Sequence, residues 1–508
     1  MITASRAGQV RQLGGQSAFF LIGSIFTLVV GWPLQVYVAR VLGADGLGIF
    51  TLLESFVATI TGVLGLGLAP TLVRFIPQHL ERQEYGTIRR LVLSVVIILL
   101  ATGTLGVGIV WLSADLIVHL HSALSAYTPA LILMALMIPI SLLSFAFGQG
   151  LRGFQEIRYM VFGSSILQLL VKVVLTIALL SLGFQLMGYI WAVVISALFG
   201  ACWMAVGLYR RLNAMPGGTK ANCSEAVSRS WRAYSWVMYT NSLVGLITGR
   251  LDIYLLTAFA GVTAVGVLAV VKTLENLPAI FLRMLITVTS PMLTAAHVRG
   301  DHGELYFLCH LANDWLVRIS APLLVFLLVF SEPMLRLYGV EFATTGYVAL
   351  IILTIGQVVN LGAGNVGVLL NMCGLERQML KLIVHQTFFQ GLGFAILIPW
   401  LGLTGAAASM SGATIYMNIA ALRLAKRYFG MRWYDVRFRR WLLPGSLTIA
   451  VAVIFRVLLP LSHVLYLSFV LLLLYVVFHG VYLLHGLHDD DRVLLQHIRC
   501  KFLSRSAA

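Results

Sequence analysis

Ten ionisable side chains lie inside long apolar stretches of this 508-residue chain: Glu54, Lys172, Arg250, Asp252, Lys272, Glu275, Arg283, Asp314, Arg318 and Arg456. At the centre of a bilayer each costs about 2.5–3.5 kcal/mol on the insertion scale. Unpaired and facing lipid, the set would cost about 25–35 kcal/mol. Such groups must therefore meet a partner or a cavity. Arg and Lys in a cavity offer charge-assisted hydrogen bonds to an anion, whereas Asp and Glu can take up a proton or a sodium ion.

Spacing sorts these residues. Asp314 and Arg318 are i,i+4, and Lys272 and Glu275 are i,i+3, so each couple can meet on one helix face. The first couple reads as a self-neutralising pair. Arg250 and Asp252 are two apart and point in different directions, so at least one must look into a cavity or at another helix. Arg456 is expected to snorkel to the interface.

The elements that must hold these residues follow from composition. The chain is 59% hydrophobic and only 11% charged, against about 25% charged in soluble domains. That excludes soluble, disordered, collagen-like and disulfide-scaffold classes. A spanning helix needs about 20 apolar residues, and fourteen candidates occur: 15–40, 46–74, 87–112, 126–150, 158–182, 185–209, 233–258, 263–290, 306–330, 343–370, 379–400, 403–425, 441–460 and 463–486. The expected fold is all-α and polytopic, with no removable signal peptide. The runs lack the dyad alternation of a barrel.

The chain carries 35 Lys and Arg against 19 Asp and Glu. With a cytoplasmic N-terminus, 27 of the 35 fall in cytoplasmic loops or tails, Arg40 and Arg336 lie outside, and six lie in the membrane. The positive-inside rule then predicts that both termini are cytoplasmic. Most of the charge is thus an orientation signal and does not point to nucleic acid.

The pattern also repeats. Gly43-x4-Gly48 and Gly261-x4-Gly266 each separate two apolar runs, 218 residues apart. Ala69-Pro70-Thr71-Leu72 matches Ser290-Pro291-Met292-Leu293, and Arg152-Gly153 matches Cys373-Gly374. This predicts pseudo-symmetric six-helix lobes at 1–212 and 232–428, an inter-lobe loop at 213–231, an added helix pair within 429–487 and a tail at 488–508. Sites in such repeats lie near mid-membrane. The expected vestibule is lined by Arg40, Glu54, Arg250, Asp252, Lys272, Glu275 and Arg283, with Lys172 extending it.

Other signals point to bland roles. Gly103-x2-Gly106 and Gly62-x2-Gly65 suit close helix packing, and no Walker sequence is present. The five cysteines and the histidines lack metal-ligand spacing. Asp489-Asp490-Asp491 reads as a solvated acidic patch. The basic, aromatic stretch 423–441 reads as a membrane-surface anchor.

The segment Ala39-Arg40-Val41-Leu42-Gly43-Ala44-Asp45-Gly46-Leu47-Gly48-Ile49-Phe50, with Leu64-Gly65-Leu66-Gly67, Arg74-Phe75, Arg250-Leu251-Asp252 and Pro399-Trp400-Leu401-Gly402-Leu403-Thr404-Gly405, resembles the Wzx-type polysaccharide and O-antigen flippases of the MATE/MOP exporter superfamily. The resemblance implies two bundles rocking about a cationic cavity in the bacterial inner membrane. It implies movement of undecaprenyl-diphosphate-linked oligosaccharide to the outer leaflet, without enzyme chemistry. Arg40, Lys172, Arg250, Lys272 and Arg283 would then hold the diphosphate. Glu54, Asp252 and Glu275 would bind a coupling H+ or Na+ or temper anion binding, and no other cofactor is expected. The expected partners are the lipid-linked oligosaccharide, membrane lipids and polysaccharide polymerase or assembly proteins, with the chain itself a monomer. The added C-terminal helices resemble those of lipid II flippases, where they line a groove for the lipid tail. Two other readings stand beside this one: an ion-coupled multidrug or organic-cation antiporter, and a membrane glycosyltransferase or polymerase. The Arg and Lys content disfavours the first, and the lack of a large outer loop with catalytic acids disfavours the second.

Overall fold

A computed structural model describes residues 2–120, 127–216, 225–431, 436–458 and 463–484. Those residues are mostly helical, with no strand among them. In chain order the helices are α1 (Ile2–Leu64), α2 (Ala69–Glu81), α3 (Tyr85–Leu120), α4 (Thr128–Ala135), α5 (Met137–Gly153), α6 (Ile157–Val161), α7 (Gln168–Ser181), α8 (Gln185–Asn213) and α9 (Glu225–Glu275). They continue with α10 (Ala279–Val298), α11 (His302–Val329), α12 (Ser331–Arg336), α13 (Val340–Ala363), α14 (Val366–Met372), α15 (Glu376–Phe429), α16 (Val436–Leu458) and α17 (Val464–Leu484). A π-helical segment, Phe162–Leu167, joins α6 to α7.

Eleven of the described helical stretches are long and apolar enough to cross a membrane, three fewer than the fourteen expected from sequence. The difference lies in the three longest helices. Each is two helical arms that meet at a kink, at one glycine with non-helical dihedrals: Gly43 in α1, Gly261 in α9 and Gly402 in α15. Those glycines fall where the sequence places tight outer turns. Gly43 and Gly261 have φ near +70° and +82°, a region that costs an L side chain strain and costs glycine little. Other expected spans are interrupted within the membrane run. The 46–74 span breaks at 65–68, and Pro70 then opens α2, where its missing N–H costs nothing. The 126–150 span breaks at Leu136. The 343–370 span breaks at Gly364 and Asn365.

The chain packs as two compact units, Met1–Ala269 and Val270–Ala508. In the first unit, α5 is the central element and lies against α2, α3 and α8, while α7 packs on α8 and α1 runs past α5 to α8. All but the last six residues of α9 belong to this unit, so its boundary falls later in the chain than the 213–231 loop that separates the sequence repeats. In the second unit α13 lies against α11, α12 and α15. An apolar core of Leu293, Leu305, Leu369, Leu370 and their neighbours lies within that unit.

The added pair α16 and α17 pack on each other and on α11. Asp314 and Arg318 form the ion pair that their spacing predicts. The pair is not self-contained. Trp441 Nε1 donates to Asp314 Oδ1 at 2.7 Å, and the Arg318 guanidinium lies 4.3 Å from the Tyr482 ring centroid. Tyr475 adds a hydrogen bond to the Ile319 carbonyl at 2.8 Å. Arg456, expected to snorkel, instead pairs with Glu332, which also accepts from Arg336 at 2.8 Å. A carboxylate within reach binds its head more strongly than interfacial water does. Asp489-Asp490-Asp491, the 217–224 part of the inter-lobe loop and the 488–508 tail lie outside the described residues.

Candidate functional site

Each unit contains its own polar group. In the first, α9 passes beside the second arm of α1. Arg250 Nη1 donates to Ser55 Oγ at 3.2 Å. One turn further along both helices, the hydroxyls of Thr59 and Tyr254 share a hydrogen bond of 2.7 Å, and the Tyr254 ring lies 5.2 Å from that of Phe56. Arg250 also stands within electrostatic reach of Tyr254. Among the described residues it makes no ion pair, so its charge is met by neutral oxygens only. Ser55 is fully buried because its own hydroxyl donates to the Thr51 carbonyl at 2.7 Å, leaving lone pairs to face α9.

Asp252, two residues along, is 2% exposed. On the other side of the same unit, Lys172 Nζ lies 5.2 Å from the Tyr189 ring centroid and interacts electrostatically with Glu54. The Tyr189 ring in turn packs, tilted, against that of Phe50, with 4.7 Å between centroids. Lys172 is thereby held by a ring and an acid, and Glu54 is the acid. Arg40 is exposed.

The two Gly-x4-Gly turns meet within this first unit. A Cβ on Gly48 would collide with the Val262 carbonyl, and a Cβ on Gly266 would collide with the Ala44 carbonyl. Thr263 donates to the Asp45 carboxylate. These positions match under the 218-residue offset of the sequence repeat, so equivalent residues of the two copies touch reciprocally. Further along, Ser235 donates to the Leu66 carbonyl at 2.6 Å. Near it Arg74 stacks on Tyr234, with 4.4 Å between guanidinium and ring centroid.

The second unit holds Lys272, Glu275 and Arg283. Both cations are close enough to act on the Glu275 carboxylate. Glu275 accepts from Gln357 Nε2, Gln357 Oε1 accepts from Asn360 at 2.9 Å, and Asn360 Oδ1 accepts from Asn418 at 3.2 Å. This amide chain ties α9, α13 and α15 together through donors that all point towards one acid.

The charged residues expected from sequence thus fall into two sets, Arg40, Glu54, Lys172, Arg250 and Asp252 in one unit and Lys272, Glu275 and Arg283 in the other. Sequence reading missed the neutral partners: Ser55, Thr59, Tyr189 and Tyr254, and Gln357, Asn360 and Asn418. The signal was available. Ser55 and Thr59 are i,i+4 in an apolar run, and Gln357 and Asn360 are i,i+3, which places each couple on one face.

Solved structures share this fold. A lipid II flippase MurJ in an inward closed conformation matches with a TM-score of 0.68 at 13% identity, over 91% of this chain and 98% of that one. A multidrug resistance MATE family transporter of the MOP superfamily, inward-facing, matches with a TM-score of 0.66 at 16% identity, over 80% and 94%. A MOP superfamily transporter from Pyrococcus furiosus, described by the reverse polarity of its binding pocket, matches with a TM-score of 0.57 at 15% identity, over 82% and 95%. No curated protein matches the chain. The sequence profile of one family, described as polysaccharide biosynthesis protein, matches residues 16–297, more than half the chain. With its apolar helices and MOP-type fold, the chain is a multi-pass membrane protein that belongs to the polysaccharide biosynthesis protein family.

Proposed function

We propose that the chain is a flippase that moves an undecaprenyl-diphosphate-linked oligosaccharide from the cytoplasmic to the outer leaflet of the bacterial inner membrane. The observation that carries this reading is Arg250. It is a cation inside a membrane-spanning helix, paired among the described residues with hydroxyls and no carboxylate. A guanidinium in that setting keeps its charge and its fork of donors for an anion. A diphosphate headgroup carrying sugars cannot cross about 30 Å of hydrocarbon bare. Arg250, with Lys272, Arg283, Lys172 and Arg40, supplies the charge-assisted bonds that would replace its water. Family membership supports the sugar component of the cargo.

The polyprenyl tail would stay in lipid while the headgroup passes. Glu54, Asp252 and Glu275 would carry a coupling proton or sodium ion or limit the hold on the anion. Opening and closing would run through the reciprocal glycine contact, where Thr263 donates to Asp45. Both termini would face the cytoplasm, beside the enzymes that build the oligosaccharide, and polymerase or assembly proteins would receive it outside.

The test is reconstitution in liposomes with a fluorescent undecaprenyl-diphosphate oligosaccharide and a membrane-impermeant quencher. Protein-dependent exchange of the label between leaflets is the expected result. No exchange, together with uptake of an organic cation by the same liposomes, would overturn the proposal in favour of an antiporter.

A further inference from the structure

The break between α13 and α14 leaves two buried amide oxygens without hydrogen-bond partners, Asn313 Oδ1 and Asn365 Oδ1. Asn313 is 3% exposed and Asn365 1%, and the flanking Ala363 and Val366 are equally enclosed. The orientation of both amides follows from chemistry. Asn313 Nδ2 faces the Gly362 carbonyl at 3.2 Å, which can only accept, so the oxygen must point the other way. It lies against Gly364, where any Cβ would collide with it. Asn365 Nδ2 faces Thr289 Oγ1 at 2.9 Å, and the Thr289 hydroxyl proton is committed to the Leu285 carbonyl at 2.8 Å. Oγ1 therefore accepts, and Asn365 Oδ1 is again turned away.

The surrounding backbone has the same polarity. α13 stops at Ala363 because Gly364 takes φ +59° and ψ −127°; the Gly364 N–H still donates to the Asn360 carbonyl at 3.0 Å, and among the described residues no backbone N–H beyond it donates to the carbonyls of 361–363. Those terminal carbonyls form the negative end of the helix dipole. Gly362 itself is only half-buried, and a Cβ there would meet nothing within 4 Å, so the broken turn is not tightly packed on that side. Non-helical backbone inside a membrane protein is sustained only where protein or a filled cavity covers it. Unwound carbonyls at a half-helix end suit a cation.

From this arrangement we infer that the α13–α14 break is a binding site for a monovalent cation of the Na+ or K+ type, held by Asn313 Oδ1, Asn365 Oδ1 and carbonyls of the broken turn. The ligand set is neutral amide and carbonyl oxygen, which fits a single positive charge. The one carboxylate adjacent in sequence, Asp314, is taken by Arg318 and Trp441. Asn313 lies on α11, Thr289 on α10 and Asn365 between α13 and α14, so a bound ion would tie these elements of the second unit together. The site is separate from the charged residues assigned to the cargo, and the inference stands whether or not the chain moves lipid-linked sugar.

The experiment is thermal unfolding of the purified full chain in detergent, in NaCl, KCl or choline chloride at equal ionic strength. Binding to the folded state alone raises Tm with ion concentration. A saturable rise of a few degrees in Na+ or K+ over choline is expected for the wild type, and its loss in Asn313→Leu and Asn365→Leu, each with unchanged helical content. Should a leucine variant fail to fold, Asn365→Asp supplies the second arm. Its added charge should lower the ion concentration that gives half the rise. Equal Tm in all three salts, as a buried water would give, overturns the inference. So does a rise that survives in both leucine variants, or a half-rise concentration unchanged in Asn365→Asp.

Discussion

Arg250 and Arg318 lie in apolar helices and have opposite surroundings. Arg318 is spent: it pairs with Asp314, covers Tyr482 and is fixed by the indole of Trp441 through that acid. Arg250 meets a serine hydroxyl. Their variants should therefore separate stability from transport. Removing one partner of a buried pair strands the other and costs about 3–5 kcal/mol. Asp314→Asn should thus lower Tm markedly in detergent, and an unchanged Tm would contradict the docking role. Arg250→Ala strands no charge and should leave Tm nearly unaltered. The Asp314–Arg318 pair was legible because i,i+4 spacing is a local property. Trp441, 127 residues away, and Ser55, on another helix, were not, because nothing local in the sequence encodes a contact across helices.

The helices show the same division between local and distant information. Gly43, Gly261 and Gly402 were readable as turns, since glycine between two apolar runs marks a chain that must change direction. The breaks at Leu136 and Gly364 and the π-helical turn at 162–167 were not expected, because long apolar runs hide them. Gly362-Ala363-Gly364-Asn365 carried a signal, two glycines and an asparagine in a row, that hydropathy outvoted. The reciprocal glycine contact is testable as a moving part. In a cysteine-free background, Asp45→Cys with Thr263→Cys should cross-link under mild oxidation. The cross-link should stop label exchange, and reduction should restore it. Full exchange with the bond closed would make this contact a static joint.

At the scale of the whole molecule, composition was decisive. A chain with 11% charged residues over 508 positions had to place its surface in lipid, and the helices follow from the need to satisfy every backbone group internally. The repeat placed a lobe boundary at 213–231, whereas packing divides the chain after Ala269. The two divisions rest on different things, a sequence pattern and present contacts. On the positive-inside expectation, most of the net charge of +16 concerns orientation. On the proposed reading the working charge is the few cations that lie within the apolar helices.

The central claim is that those cations hold the diphosphate. Leaflet exchange of a labelled undecaprenyl-diphosphate oligosaccharide, measured for wild type, Arg250→Ala and Lys272→Ala at matched incorporation, tests it most directly. Losing hydrogen bonds to a charged group, about 1.5–3 kcal/mol, should slow exchange by about tenfold to a hundredfold in each variant. Exchange at the wild-type rate in both variants would contradict the account.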